Sequence, residues 1–180
     1  MKHFVLLFAA ALLLLPGCKQ GTPIDLDEVQ TGTYTVYLVR HAEKQKGDNP
    51  GLTDAGIARA EVLKDKLMNA GIDYIHSSDY RRTKATAAPL AKATGIEVAI
   101  YDARNLQQIA DTVKSLPGVH VVVGHSNTTP ELTSLLTGEI VVAMPETEYD
   151  RFTEVGLDKD GNTVTLDISR FGASTKSADD

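Results

Sequence analysis

The segment Val119–Gly124 (VHVVVG) constrains the fold of this chain more than any other. Near-continuous apolar character over one short run reads as a strand covered on both faces, hence central in a parallel sheet. The segments around it alternate between strand and helix. Thr33 to Arg40 is rich in β-branched and aromatic residues and reads as a first strand. Thr53 can cap a helix whose Ile57, Ala60, Leu63, Leu67 and Ala70 share one face, with Gly71 as its stop. Ile72 to His76 reads as a second strand. Arg81 to Ala93 reads as a helix in which Pro89 implies a kink or a late start. Ile96 to Tyr101 is a third strand, Leu106 to Leu116 a helix, and Pro130 to Leu136 the helix after the central strand. Tyr149 to Val155 and Thr163 to Phe171 flank Asp158-Lys159-Asp160-Gly161, a hairpin signal. This order predicts an α/β fold: a three-layer α/β/α sandwich with a mainly parallel sheet and an antiparallel C-terminal hairpin.

With 180 residues the chain suits one domain. A net charge of −6 argues against a general nucleic-acid binder. Cys18 is the single cysteine, which excludes an intrachain disulfide framework and any multi-cysteine metal site. Ahead of it, a short basic start and twelve apolar residues, Phe4 to Leu15, fit the h-region of an export signal and fall short of a span of roughly 20. Leu15-Pro16-Gly17-Cys18 resembles the lipobox of bacterial lipoproteins; a plain secretory signal with an incidental cysteine is the alternative. The expected organisation is a signal peptide over 1–17, a lipidated Cys18 and tether over 18–32, a folded domain over 33–172 and a disordered tail over 173–180. An exported protein follows, lipid-anchored to the cell membrane or outer membrane and facing the periplasm or exterior.

In open α/β sheets, ligands sit beyond the carboxyl ends of the strands. Arg40-His41 ends the first strand, Ser77-Ser78-Asp79 the second with Arg81-Arg82 behind it, Asp102 the third and His125-Ser126-Asn127 the fourth. Taken singly, each is as well explained as a solvated surface group or a satisfied core histidine. Together they place two histidines and two or three arginines on one edge. Arginine's planar donor fork suits phosphate oxygens, and a neutral imidazole is a competent nucleophile near neutral pH. The set points to phosphoryl transfer through a phosphohistidine.

The wording of these segments resembles the histidine phosphatase superfamily, the phosphoglycerate-mutase-like proteins. Val39-Arg40-His41-Ala42-Glu43-Lys44 is similar to the family's opening Arg-His motif. Asn49 to Gly56 (NPGLTDAG) is similar to its Leu-Thr-x-x-Gly helix start. Ser77 to Ala87 is similar to the segment carrying the second arginine, and its spacing from the Thr-Ala pair selects Arg82 over Arg81. Val123 to Thr128 (VGHSNT) is similar to the second-histidine motif. The resemblance implies that His41 is the nucleophile, that Arg40 and Arg82 clamp the phosphoryl oxygens and that His125 donates to them. It also implies that Asn127 binds substrate and that no metal or other cofactor takes part. The Asp that directly follows the histidine in the acid-phosphatase branch is replaced here by Ser126, so Asp102 is the expected proton donor and Glu43 the runner-up.

Other functions fare worse on the same residues. Gly124-His125-Ser126 lacks the closing glycine of a nucleophile elbow, and no histidine follows His125, so a serine esterase fails on chain order. His120 and His125 point to opposite faces of a strand, which disfavours a shared metal. A membrane-anchored binder of phosphorylated ligands is the non-enzyme rival. A mutase is a lesser one, because the stretch from Ala87 to Val123, between the second-arginine and second-histidine motifs, is only 37 residues long. The expected partners are a small phosphorylated substrate or a phosphoprotein, with a monomer as the expected state.

Overall fold

A computed structural model describes residues 34–175. The proposed signal peptide, Cys18, the whole tether and most of the tail lie outside the described residues.

The chain runs β1 (Tyr34–Arg40), α1 (Asp54–Leu67), β2 (Tyr74–Ser78), α2 (Arg81–Thr94), β3 (Val98–Tyr101), α3 (Leu106–Ser115), β4 (Val119–Gly124), α4 (Thr128–Thr137), β5 (Arg151–Leu157) and β6 (Thr163–Arg170). One six-stranded sheet has the order β3-β2-β4-β1-β5-β6. β1, β2, β3 and β4 are parallel; β5 and β6 pair antiparallel. The sandwich and its C-terminal hairpin are as the sequence predicts.

Alternation along the strands divides the core. Val39, Ile75, Val121, Val123 and Phe152 pack with Leu63 and Leu67 of α1 and Ala87 and Leu90 of α2. Val36, Leu38, Val122 and Val155 face the other way, against Ile109 and Val113 of α3 and Leu132 and Leu136 of α4. β4 therefore contributes to both layers, as its composition demands. Each fully buried valine on it stabilises the fold by roughly 1.5–3 kcal/mol.

α1 begins as expected, with Thr53 Oγ1 accepting from the Gly56 amide at 3.1 Å. Its buried face differs from the predicted one. Ile57 is 54% exposed, and the stripe runs through Gly56, Ala60, Leu63 and Leu67. Gly56 takes the inner position because the helix lies on the backbone of Glu43; a Cβ there would strike the Glu43 carbonyl oxygen. α2 runs through Pro89 without a late start. α4 starts two residues before Pro130, which sits in its first turn, where a missing N–H costs no helical hydrogen bond. β3 begins at Val98 rather than Ile96, since an edge strand is defined by its single partner and Val98 is the first residue paired with β2. Beyond β6, Ala173 and Thr175, which the sequence reading assigns to the tail, hydrogen-bond to Arg59 and Asp150.

The topology leaves a crevice where a ligand can enter. β1 and β4 are neighbours, with Arg40 opposite Gly124, yet α1 leaves β1 onto one face and α4 leaves β4 onto the other. Strands whose connections part in this way open a cleft beyond their carboxyl ends.

Candidate active site

The cleft is a cavity of about 360 Å³, lined among others by Arg40, His41, Arg82, His125, Asn127 and Glu146. His41 follows β1 directly, and its amide donates to the Gly124 carbonyl at 2.9 Å, which ties the first histidine to the strand carrying the second. The two imidazoles stand 5.5 Å apart at 68°. Both are buried.

His41 Nδ1 lies 2.8 Å from the carbonyl oxygen of Ala42. A carbonyl can only accept, so Nδ1 carries the proton and Nε2 keeps its lone pair. Ala42 is itself held by its amide, which donates to Thr86 Oγ1 on α2. Burial pushes the His41 imidazole down to about 3; the bond to Ala42 opposes that, and Arg40, Arg82 and His125 reinforce it. The ring is neutral across the physiological range.

His125 sits just ahead of α4, its amide donating to Thr128 Oγ1 at 2.9 Å. Arg82 Nη2 is 3.3 Å from its Nδ1. A guanidinium only donates, so Nδ1 accepts and the proton lies on Nε2, which faces Ser78 Oγ at 2.9 Å. Ser78 in turn donates to Thr83 Oγ1 at 3.1 Å, and Thr83 to the Ser78 carbonyl at 2.7 Å. Burial, then Arg82 and Arg40, lower the His125 imidazole to about 4.

The arginines are held in different ways. Arg40 is fully buried; its Nη1 donates to the carbonyls of Pro145, Glu146 and Glu148, and its guanidinium lies 4.2 Å from the centre of the Tyr149 ring. Arg82, in the first turn of α2, lies over the ring of Tyr80. Arg81 does not line the cavity; its amide donates to the side chain of Asn49. Among the described residues, the buried side-chain polar atoms without a partner are Arg40 Nε and Arg82 Nε. Two orphaned donors beside two neutral histidines fit a tetrahedral anion, whose oxygens would satisfy them.

The remaining acids lie elsewhere. Asp102 is not brought to the histidines: it is exposed, paired with Arg104 at 3.0 Å, and lines an adjoining hollow that meets the cavity at Tyr80, Ala103 and Arg104. β3 is the outermost strand, three places from β1, which carries Asp102 away. Glu43 does not line the cavity either; it grips Arg59 with both oxygens. Glu146 is the cavity's one carboxylate among the described residues. It pairs with Arg40 Nη2 at 3.1 Å and accepts from Ser126 Oγ at 3.0 Å. Sequence reasoning missed it, together with Tyr80 and Tyr149. Tyr80 stands inside the second-arginine motif and Tyr149 opens the first strand of the expected hairpin, but the segment holding Glu146 has no periodicity or motif to mark it.

This arrangement is a cleft of two histidines and two arginines at the edge of an α/β domain, and known proteins share parts of it. Residues 36–110 match the model of the Histidine phosphatase superfamily (branch 1). The fold is shared with the protein histidine phosphatase SixA solved with tungstate, at a TM-score of 0.64 and 17% identity over 76% of this chain and 96% of that one. It is also shared with the mycobacterial glucosyl-3-phosphoglycerate phosphatase, at 0.63 and 16% over 79% and 100%. In sequence, the chain is 40% identical over 70 residues to a probable phosphoglycerate mutase GpmB of Yersinia pestis (strain Pestoides F), covering 34% of this chain and 32% of that protein. The chain thus spans about a third of the length of the curated relatives it matches. The family match is confined to residues 36–110, and the likeness to the solved structures is one of fold.

Proposed function

We propose that the protein is a metal-independent phosphatase that hydrolyses phosphomonoesters or phosphohistidine through a covalent phosphohistidine on His41. One observation carries the reading: the bond from Nδ1 to the Ala42 carbonyl leaves Nε2 as the basic nitrogen of a neutral imidazole in an arginine-lined cavity. Nε2 attacks phosphorus as the P–O bond of the ester breaks. Water then attacks the phosphohistidine, the P–N bond breaks, and the electron pair returns to Nε2. Arg40 and Arg82 supply fixed positive charge to the equatorial oxygens, which is where such reactions gain most of their rate. A bound phosphoryl group draws Arg82 away from His125 and a proton onto Nδ1, so that His125 donates to it as well. Asn127, on the cavity wall at the start of α4, is a further substrate contact.

The test is release of phosphate from a panel of phosphomonoesters and a phosphohistidine peptide in the presence of a chelator. Wild-type turnover that His41→Ala abolishes supports the reading; equal rates in both favour a binder without turnover. Export and anchoring through Cys18 belong to the same proposal and rest on the sequence alone. Cys18→Ala should move the protein from the membrane pellet to the soluble fraction, and a variant that still sediments contradicts the anchor.

A further inference from the structure

A phosphatase of this kind must protonate the leaving alkoxide and deprotonate the water that follows. Neither acid favoured by the sequence can do so from where it stands: Asp102 is committed to Arg104 in the adjoining hollow, and Glu43 to Arg59 beneath α1. We infer that Glu146, on the loop between α4 and β5, is the carboxylate that shuttles this proton.

Four observations carry the inference, which rests on the phosphatase reading above. Glu146 lines the same cavity as His41, Arg82 and His125, and is its one carboxylate among the described residues. Its backbone is fixed, because the Pro145, Glu146 and Glu148 carbonyls all accept from Arg40 Nη1. Its side chain is 79% exposed and so free to turn at the mouth of the cavity. Its two oxygens rest on Arg40 Nη2 and Ser126 Oγ, donors that an incoming phosphoryl group would take over.

The sequence of events follows from charge. At rest, the anionic carboxylate holds the free face of Arg40. A phosphoryl group competes for the same donors and displaces it toward the mouth, where the ester oxygen lies. Loss of Arg40 and the approach of phosphoryl oxygens both favour the protonated acid. As Nε2 of His41 bonds to phosphorus and the P–O bond breaks, the Glu146 carboxylic acid passes its proton to the leaving oxygen. The resulting carboxylate then takes a proton from the attacking water, whose oxygen bonds to phosphorus as the P–N bond breaks. The acid is restored, and atoms and charge balance over the cycle.

The test is Glu146→Gln, a near-isosteric change on an exposed side chain, with formation of the His41 phosphoenzyme followed by rapid quench. Two substrates are compared: 4-nitrophenyl phosphate, whose leaving group needs little protonation, and glycerol 2-phosphate, whose alkoxide needs it. The expected result is a fall of about 10²-fold or more in the ratio of glycerol phosphate to nitrophenyl phosphate rates, within the usual range for a general acid. An unchanged ratio overturns the inference, whether both rates fall together or both hold. So does faster reaction on both substrates, which would make Glu146 a plug on Arg40. The wild type keeps the two claims apart. If it forms no phosphoenzyme with either substrate, the phosphatase reading fails and takes the inference with it; if it does, an unchanged ratio removes Glu146 alone.

Discussion

Arg82 Nη2 faces Nδ1 of His125 across 3.3 Å, so the second histidine of the site is an acceptor toward its nearest cation. Two groups that the proposed function makes donors to one anion are partners of each other in the structure. Arg82 therefore positions His125, which sets it apart from Arg81, its neighbour at the start of α2.

Replacing Arg82 by Ala should lower kcat/KM by about 10²–10³-fold, the usual loss when one preorganised donor to the transition state is removed. Arg81→Ala should change it by less than about threefold, since Arg81 lies outside the cavity and surface changes of that kind are nearly neutral. Steady-state kinetics on one phosphomonoester decides it. Equal losses in the two variants would contradict the geometry.

The pH profile should lack the acid limb of an ordinary histidine. The attacking imidazole must be neutral, and an unperturbed one would lose activity as pH falls through about 6.5. Burial and the surrounding cations hold His41 at about 3 and His125 at about 4. Lower values keep the neutral form at lower pH, so kcat/KM should show no acid-side fall between pH 7 and about 5 once substrate ionisation is corrected. A drop centred near 6.5 would show that His41 is far less desolvated than the structure makes it.

Gly56→Ala should destabilise the fold by about 1–3 kcal/mol, because the new Cβ has nowhere to go but into the Glu43 carbonyl oxygen. Helix propensity works the other way, favouring Ala over Gly by roughly 1 kcal/mol. Urea denaturation decides between them: a lower midpoint at unchanged slope supports the close approach, and a raised one refutes it.

Stability should also fall on mild acidification. Burial first, and then His120, hold His76 at about 4, while burial also lowers His120, 3.1 Å away. In the unfolded chain each histidine titrates near 6.5. Between those values the unfolded state binds more protons, so stability is present above about 6.5 and is lost as pH falls toward 4. Calorimetry should show Tm declining steadily below pH 6.5. A Tm that holds to pH 4.5 would mean that the buried histidines are charged in the native state.

The sheet and the placing of the two histidines were legible because they depend on local signals. An unbroken apolar strand must be central, and residues at the carboxyl ends of parallel strands share an edge. What was not legible depends on close approach or distant pairing. Ile57 fits a helical stripe by hydropathy, but only Gly56 lets α1 lie on the Glu43 backbone. Asp102 stands on the right edge of the sheet but three strands too far out. Glu146 and Tyr149 reach Arg40 because β5 runs back antiparallel beside β1, bringing together residues more than 100 apart in the chain. No periodicity in residues 138–148 announces that return.

The central claim is that His41 carries the phosphoryl group. Brief incubation with a ³²P-labelled phosphomonoester, acid-free quenching and peptide mapping tests it most directly. Base-stable, acid-labile label on the peptide containing His41, absent in His41→Ala and chased by unlabelled substrate, is the predicted result. Turnover with no labelled enzyme, or label on any other residue, would contradict it.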